Sequence, residues 1–333
     1  MIINKKRRNF LKFIIYSSFV LNGFKISNAE QKSQITKILS SPTFKKFIIN
    51  ENHPETPKRI DFIKKALIKE DLVYISENFK VNRKVEDWIK LIHTEKHINA
   101  LQTSFPIGEM VSRQAVAICL EGVDNIMQQR CKNVFCATRP PGHHALNTGK
   151  HEGFCFYNNV AIAAKYIQKR YNLSKILIVD WDYHHGNSTE YFFYDDPSIL
   201  FFSTHDQFAY PGTGSPSKIG VGKGKGFNIN IHLKCNTTDN EIIEVFKNIL
   251  IPRANKFKPN FILLSSGFDS RINDLLGCFN VTDNGFVELT KIVKKLANIH
   301  CNDRLLSVLE GGYNLEGNAK ATIAHIRELN NLI

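Results

Sequence analysis

Four side chains with metal-binding chemistry fall within six residues of this chain: Asp180, Asp182, His184 and His185, in the stretch KILIVDWDYHHGNSTE from Lys175 to Glu190. Carboxylate oxygens and imidazole nitrogens are ligands for zinc-like divalent ions. Asp182 and His184 are two apart, so in an extended segment they point to the same side and can grip one ion, with Asp180 one step back on that side. A hydrogen-bonded surface turn is the plain alternative for a lone Asp-x-His. The preceding residues favour the metal. Ile176–Leu177–Ile178–Val179 is a short apolar run, suited to a strand buried on both faces. Such a strand releases polar groups at the mouth of an open parallel sheet, where these folds bind ligands.

The same pattern recurs along the chain. Asn133–Thr138 reads as a strand that stops at Arg139-Pro140-Pro141-Gly142 and presents two adjacent histidines, His143 and His144. Ile199–Phe202 precedes Ser203-Thr204-His205-Asp206 and the tight loop Tyr210-Pro211-Gly212-Thr213-Gly214. Phe261–Leu264 ends in Ser265-Ser266-Gly267-Phe268-Asp269, and Leu305–Leu309 ends in Glu310-Gly311-Gly312-Tyr313. Helices are expected between these strands, over about Ile60–Lys69, Met110–Gln129 and Asn158–Arg170. Two more open at the capping box Thr238-x-x-Glu241 and at Thr282. Five apolar strands alternating with helices imply an α/β fold: one domain, a parallel sheet in three α/β/α layers, with the site along one sheet edge. Glycines 220, 222, 224 and 226 are followed by the alternating strand Phe227–Leu233 rather than by a helix, so they make no phosphate cradle.

The 333 residues carry a formal charge of +13, but residues 1–29 hold six basic side chains and no acid; without them the balance is 38 basic to 31 acidic, or +7. The remaining lysines are scattered, with no aromatic-interleaved basic stripe, so no nucleic-acid partner is expected. Met1–Ala29 has the order of an export signal: a basic start, an apolar run Phe13–Leu21, and a small-residue end at Ser27–Asn28–Ala29. The run is well short of the ~20 residues that span a bilayer. Arg7–Arg8–Asn9–Phe10–Leu11–Lys12 resembles the twin-arginine signal, which predicts a periplasmic protein exported already folded; an ordinary secretion signal or a membrane-tethering basic helix are the alternatives. Seven cysteines without a CxxC pair read as buried free thiols rather than a disulfide framework.

Together these residues resemble the zinc-dependent deacetylases of the histone deacetylase superfamily, which includes acetoin-utilisation and acetylpolyamine deacetylases. The likeness runs from His53 to Tyr313 through HPETPKR, RPPGHHA, GFCFYNN, VDWDYHHGN, YPGTG, SSGFDS and LEGGYN. It implies an arginase/deacetylase-like fold over residues 30–333 and one Zn2+ held by Asp182, His184 and Asp269. It further implies that His143 and His144 share general base and acid duties and that Tyr313 donates to the developing oxyanion. Asp180 would orient His143 and Asn187 would orient His144, the asparagine resembling the class II branch. Gly153, Phe154, Tyr210 and Leu276 match the walls and rim of an acyl-lysine channel. A structural K+ near Asp180, Asp182, His184 and Ser203 is common in the family. The substrates implied are acetylated lysine, peptide or small amine; Leu276 lacks the acid that some polyamine-selective relatives carry there. Ser188 in place of glycine, Leu275 in place of proline and a short segment after Leu101 depart from the pattern.

Two other readings bear on the same residues. A two-manganese hydrolase of the arginase type needs carboxylates where this chain has Gly186 and Arg271. An inactive acyl-ligand-binding protein would lack Tyr313 or one of the paired histidines, and both are present.

Overall fold

The computed structural model describes residues 36–72, 74–76 and 83–332; the expected export signal lies outside them. Eight parallel strands form one sheet: β1 (Lys37–Ser40), β2 (Tyr74–Ser76), β3 (Asn133–Cys136), β4 (Ile176–Asp180), β5 (Ile199–His205), β6 (Asn228–His232), β7 (Phe261–Ser266) and β8 (Leu305–Leu309). Their order is β2-β1-β3-β8-β7-β4-β5-β6. The five apolar runs of the sequence are the inner strands, buried along their whole length. β6 is the alternating edge strand. The two strands on the other edge have only four and three residues, too short to show a period.

Both faces of the inner strands are buried, so helices cover both. α3 (Glu95–Ser104), α4 (Pro106–Met127) and α5 (Asn159–Tyr171) pack together, α4 on β3 and β8 and α5 on β7. A second group joins α1 (Lys58–Lys69), α9 (Asp283–His300) and α10 (Leu315–Leu329), with α7 (Asp239–Val245) against α9. α2 (Arg83–Ile89) and α6 (Asn187–Phe193) are short, and α7 passes through a π turn at Phe246–Leu250 into α8 (Ile251–Phe257) just ahead of Pro252, which has no N–H to donate. The capping box holds, with the Glu241 carboxylate accepting from the Thr238 amide at 2.7 Å. After Leu101 a single residue, Phe105, separates α3 from α4.

Register explains where the polar groups go. Asp180 pairs with Ser203 on one side and Ser265 on the other, and Ser266 pairs with Leu309. β4, β7 and β8 therefore end within one residue of one another and β5 runs two further, so the residues that follow these strands share one crevice.

The expectation of seven unpaired cysteines is corrected at two positions. Cys119, Cys131, Cys136, Cys155 and Cys301 are free and buried, but Cys235 and Cys278 form a disulfide across 43 residues. The connection after β6 and the loop after β7 are remote in sequence and meet in space, a juxtaposition that spacing and an odd count cannot reveal.

Candidate active site

Past the end of β4 the chain turns sharply and brings Asp182 and His184 against Asp269, from the loop after β7. One atom from each of the three lies within 4.8 Å of the others, the one cluster among the described residues that could hold a metal ion. His184 Nδ1 stands 3.2 Å from Asp182 Oδ1 and 3.0 Å from Asp269 Oδ2. Backbone amides fix the carboxylates: Gly311 N donates to Asp182 Oδ2 at 2.8 Å and Tyr183 N to Asp269 Oδ1 at 2.8 Å. Gly311 has to be glycine, because a Cβ there would come within 2.0 Å of the Asp269 carboxylate.

The charges suit a cation. Burial beside the Asp182 carboxylate pushes Asp269 up to about 7. At His184 burial is outweighed by hydrogen bonds to Asp182 and Asp269, and its pKa rises to about 10. Two buried carboxylates thus hold a proton on the imidazole between them, and a divalent ion would take that proton's place. Two carboxylates and one imidazole are a zinc donor set with room for further ligands. The carboxylates a second metal would need are absent: Gly186 has none, and Arg271 forms an ion pair with Asp283 at 2.7 Å.

The paired histidines come from the other side. Glu310, buried after β8, accepts from Gly142 N at 2.6 Å and His143 N at 3.2 Å, which fixes their loop. Ser188 adds a hydroxyl bond to the His143 carbonyl at 2.8 Å, a contact that a glycine in its place could not make. His143 Nδ1 bonds Asp180 Oδ2 at 3.1 Å and His144 Nδ1 bonds Asn187 Oδ1 at 2.8 Å, with the rings 4.0 Å apart. Nδ1 is thereby the protonated nitrogen of each ring, and Nε2 is left for exchange. The two environments differ. Burial lowers the His143 pKa, but Asp182 and Asp180 outweigh it and raise the group well above its ordinary value. Burial, with His143 and His184 close by, drives His144 well below. Ser203, expected beside a monovalent ion, bonds His205 Nδ1 at 2.8 Å.

His144, His184 and Tyr313 line a cleft of ≈ 470 Å³ together with Gly153, Phe154, Tyr183, Ala209, Tyr210 and Leu276. All four residues expected to form the channel are among them. Gly153 sits at φ +48°, and a Cβ there would come within 2.3 Å of the His144 ring, so the wall lies directly on that imidazole. Tyr210 meets His144 edge-on at 5.0 Å. Tyr210 and Leu276 are 49% and 39% exposed, which makes them the rim.

Comparison with known proteins follows this geometry. The histone deacetylase domain profile matches residues 53–329. The chain belongs to the histone deacetylase family. A probable deacetylase of Archaeoglobus fulgidus is 34% identical over 302 residues, covering 85% of this chain and 82% of that protein. Histone deacetylase 15 of Arabidopsis thaliana is 33% identical over 83% of this chain, which spans about half (52%) of that longer protein. A Danio rerio protein named polyamine deacetylase HDAC10 is 34% identical over 78% of this chain and 42% of its own length. Among solved structures, the HD domain of HDA15 superposes with a TM-score of 0.80 at 29% identity, covering 89% of this chain and 90% of that one. This histone deacetylase family member thus has the family's α/β fold.

Three supporting groups escaped the sequence reading: Glu310, Asp274 and a buried Arg59–Glu55–Arg139 triad. Glu55 sits between the two guanidiniums, 3.4 Å from Arg59 and 2.5 Å from Arg139, with all three side chains fully buried. Arg59 also donates to the carbonyls of Gly312 at 2.7 Å and Glu310 at 2.5 Å. The HPETPKR and RPPGHHA motifs are thereby joined to the segment carrying Tyr313. Replacing Glu55 with alanine leaves two buried cations facing each other and is expected to destabilise the fold by about 3–5 kcal/mol in equilibrium urea unfolding. A loss under ~1 kcal/mol would mean that the guanidiniums are satisfied by carbonyls alone.

Proposed function

We propose that the protein is a zinc-dependent deacetylase that hydrolyses the amide of an acetylated, lysine-like amine. The observation that carries the reading is the convergence of the Asp182–His184–Asp269 cluster, the two differently tuned histidines and the Tyr313 phenol on one narrow cleft. A zinc ion held by the three ligands would supply Lewis-acid polarisation of the acyl carbonyl and acidify a water, lowering its pKa from 15.7 to about 7.

The chain's own groups do the rest. Phe154 and Tyr210 flank the acyl-amine chain and exclude water from it. His144 is held neutral and is the member of the pair able to accept a proton at Nε2 from the attacking water. His143 is held protonated by Asp182 and Asp180 and is able to return a proton to the leaving nitrogen. This division of base and acid follows from their opposite pKa displacements. The Tyr313 hydroxyl donates to the oxygen on which negative charge develops. A structural potassium near Asp180 and Ser203 belongs to the same reading.

Asn187 is a neutral partner where an aspartate would be charged. Asn187→Asp adds an anion beside His144, favours its protonated form and raises its pKa. The acid limb of the kcat/KM profile is therefore expected to move up by about 1–3 pH units. An unmoved limb would mean that His144 protonation does not govern the rate.

Acetyl-lysine peptide is the favoured substrate class, because the rim residue Leu276 offers no carboxylate to hold a polyamine's second cation. The relative named for polyamine deacetylation makes acetylpolyamine the necessary comparison. Turnover of both by purified protein, with and without chelator, tests the reading: release of acetate from the peptide, abolished by chelator, is expected. No release from either substrate by zinc-replete protein would overturn it.

Export through a twin-arginine signal in residues 1–29 is also proposed, from the RRNFLK sequence; no helix among the described residues is long and apolar enough to cross a membrane. Cell fractionation should then find a chain shortened near Ala29 outside the cytosol.

A further inference from the structure

We propose that Asp274 is the positioning residue that sets where the Tyr313 phenol stands and ties it to the loop at the channel mouth. The proposal rests on reading Tyr313 as the oxyanion donor.

Asp274 lies, half-buried, in the loop between β7 and α9. Its Oδ2 accepts from the backbone amides of Tyr313 at 2.7 Å and Asn314 at 2.9 Å, and its Oδ1 accepts from Leu276 N at 2.9 Å. One carboxylate thus collects three N–H donors from two segments that leave neighbouring strands, and bonds to an ionised acceptor are the strong ones. No cation competes for it: Asp274 is in no ion pair among the described residues, and Arg271 is bound through two nitrogens to Asp283 at 2.7 and 2.9 Å.

Tyr313 needs such a tether. It follows Gly311 and Gly312, the latter at φ +118°, and precedes Asn314, which caps α10. No strand ladder or helix fixes its backbone. Arg59 holds the carbonyl side of this segment, through Gly312 O, and Asp274 holds the amide side.

The other end of the tether is firm. Ile272 N bonds Val281 O at 2.9 Å across the neck of the loop, Asn236 N bonds Cys278 O at 2.7 Å, and Asn314 Nδ2 bonds Asn273 O at 2.9 Å. Leu276 lines the cleft, and its own amide is held by the same carboxylate as Tyr313. A substrate pressing on the rim leucine therefore acts on the group that positions the phenol.

The test combines Asp274→Ala, Asp274→Asn and Tyr313→Phe. Asp274→Ala is expected to lower kcat about 10²-fold, the effect of an ångström-scale misplacement, with zinc stoichiometry unchanged. Asp274→Asn keeps one acceptor oxygen and should recover part of the rate. Once the phenol is gone its position is immaterial, so the double variant Asp274→Ala/Tyr313→Phe should be no slower than Tyr313→Phe alone. Additive losses would overturn the proposal. A readout independent of turnover is the crystal structure of Asp274→Ala, in which the phenol oxygen should shift by about 1 Å or more. An unmoved phenol overturns the proposal even if the wild-type enzyme is fully active. A displaced phenol in a protein that hydrolyses no acyl amine would sink the deacetylase reading and leave the positioning role standing. Should the alanine variant fail to fold, Asp274→Asn carries both measurements.

Discussion

Tyr313→Phe is expected to lower kcat on an acetyl-lysine peptide about 10²–10³-fold while KM stays within a few-fold, the usual cost of removing one oxyanion donor. The ring is 5% exposed, with the Arg59 guanidinium 4.9 Å from its centroid and Phe154 at 6.0 Å. Phenylalanine preserves these contacts, so the substitution removes a hydroxyl and little else. Tyr313 lines the cleft and its hydroxyl bonds no protein group among the described residues, so nothing is left unpaired by its loss. Burial, only partly offset by Arg59, raises the Tyr313 pKa well above that of a free phenol, so the group is a donor at neutral pH. Because negative charge develops on the acyl oxygen only as the amide is attacked, the donor binds the transition state more strongly than the substrate and the loss falls on kcat. Steady-state kinetics with zinc content measured in parallel checks this. An equal rise in KM with kcat intact would instead make Tyr313 a channel wall like Phe154.

Local pattern carried a large part of the site. Asp182 and His184 are two residues apart behind a strand, and the paired histidines follow a proline-stopped strand, so each is visible within a ten-residue window. Asp269 and Tyr313 entered through the family resemblance, since no spacing links them to Asp182, 87 and 131 positions earlier in the chain. The supporting roles were not legible even where the residues stand inside quoted motifs, as Glu55, Arg59, Arg139 and Glu310 do. Glu310 and Asp274 act by accepting backbone amides from remote segments, and any residue other than proline supplies an amide, so the partner leaves no mark on the sequence. Arg59, Glu55 and Arg139 read as ordinary loop charges until folding buries all three. The same limit hid Cys235–Cys278 and the two edge strands of four and three residues.

Asp269→Asn is expected to abolish both zinc retention and turnover. Asp269 is the informative ligand to change, because its two oxygens do separable jobs. Oδ1 accepts from Tyr183 N, which an asparagine oxygen can still do, and Oδ2 faces His184. The substitution therefore keeps the loop and removes a charge. Asp182 offers no such separation: its Oδ1 accepts from His184 N and its Oδ2 from Gly311 N, so changing it also releases the segment that carries Tyr313. Loss of an outer partner of a metal ligand costs roughly 10–100-fold in affinity, and loss of an anionic ligand itself should exceed that. Metal analysis after dialysis should find about one zinc per wild-type chain and far less in the variant. Thermal unfolding gives a second measure that needs no substrate: zinc at a thousand times its Kd should stabilise the wild type by about 4 kcal/mol and the variant by much less. Asp269→Asn that kept a full zinc complement and wild-type turnover would remove this carboxylate from the metal site, and with it the reason two buried acids stand beside one imidazole.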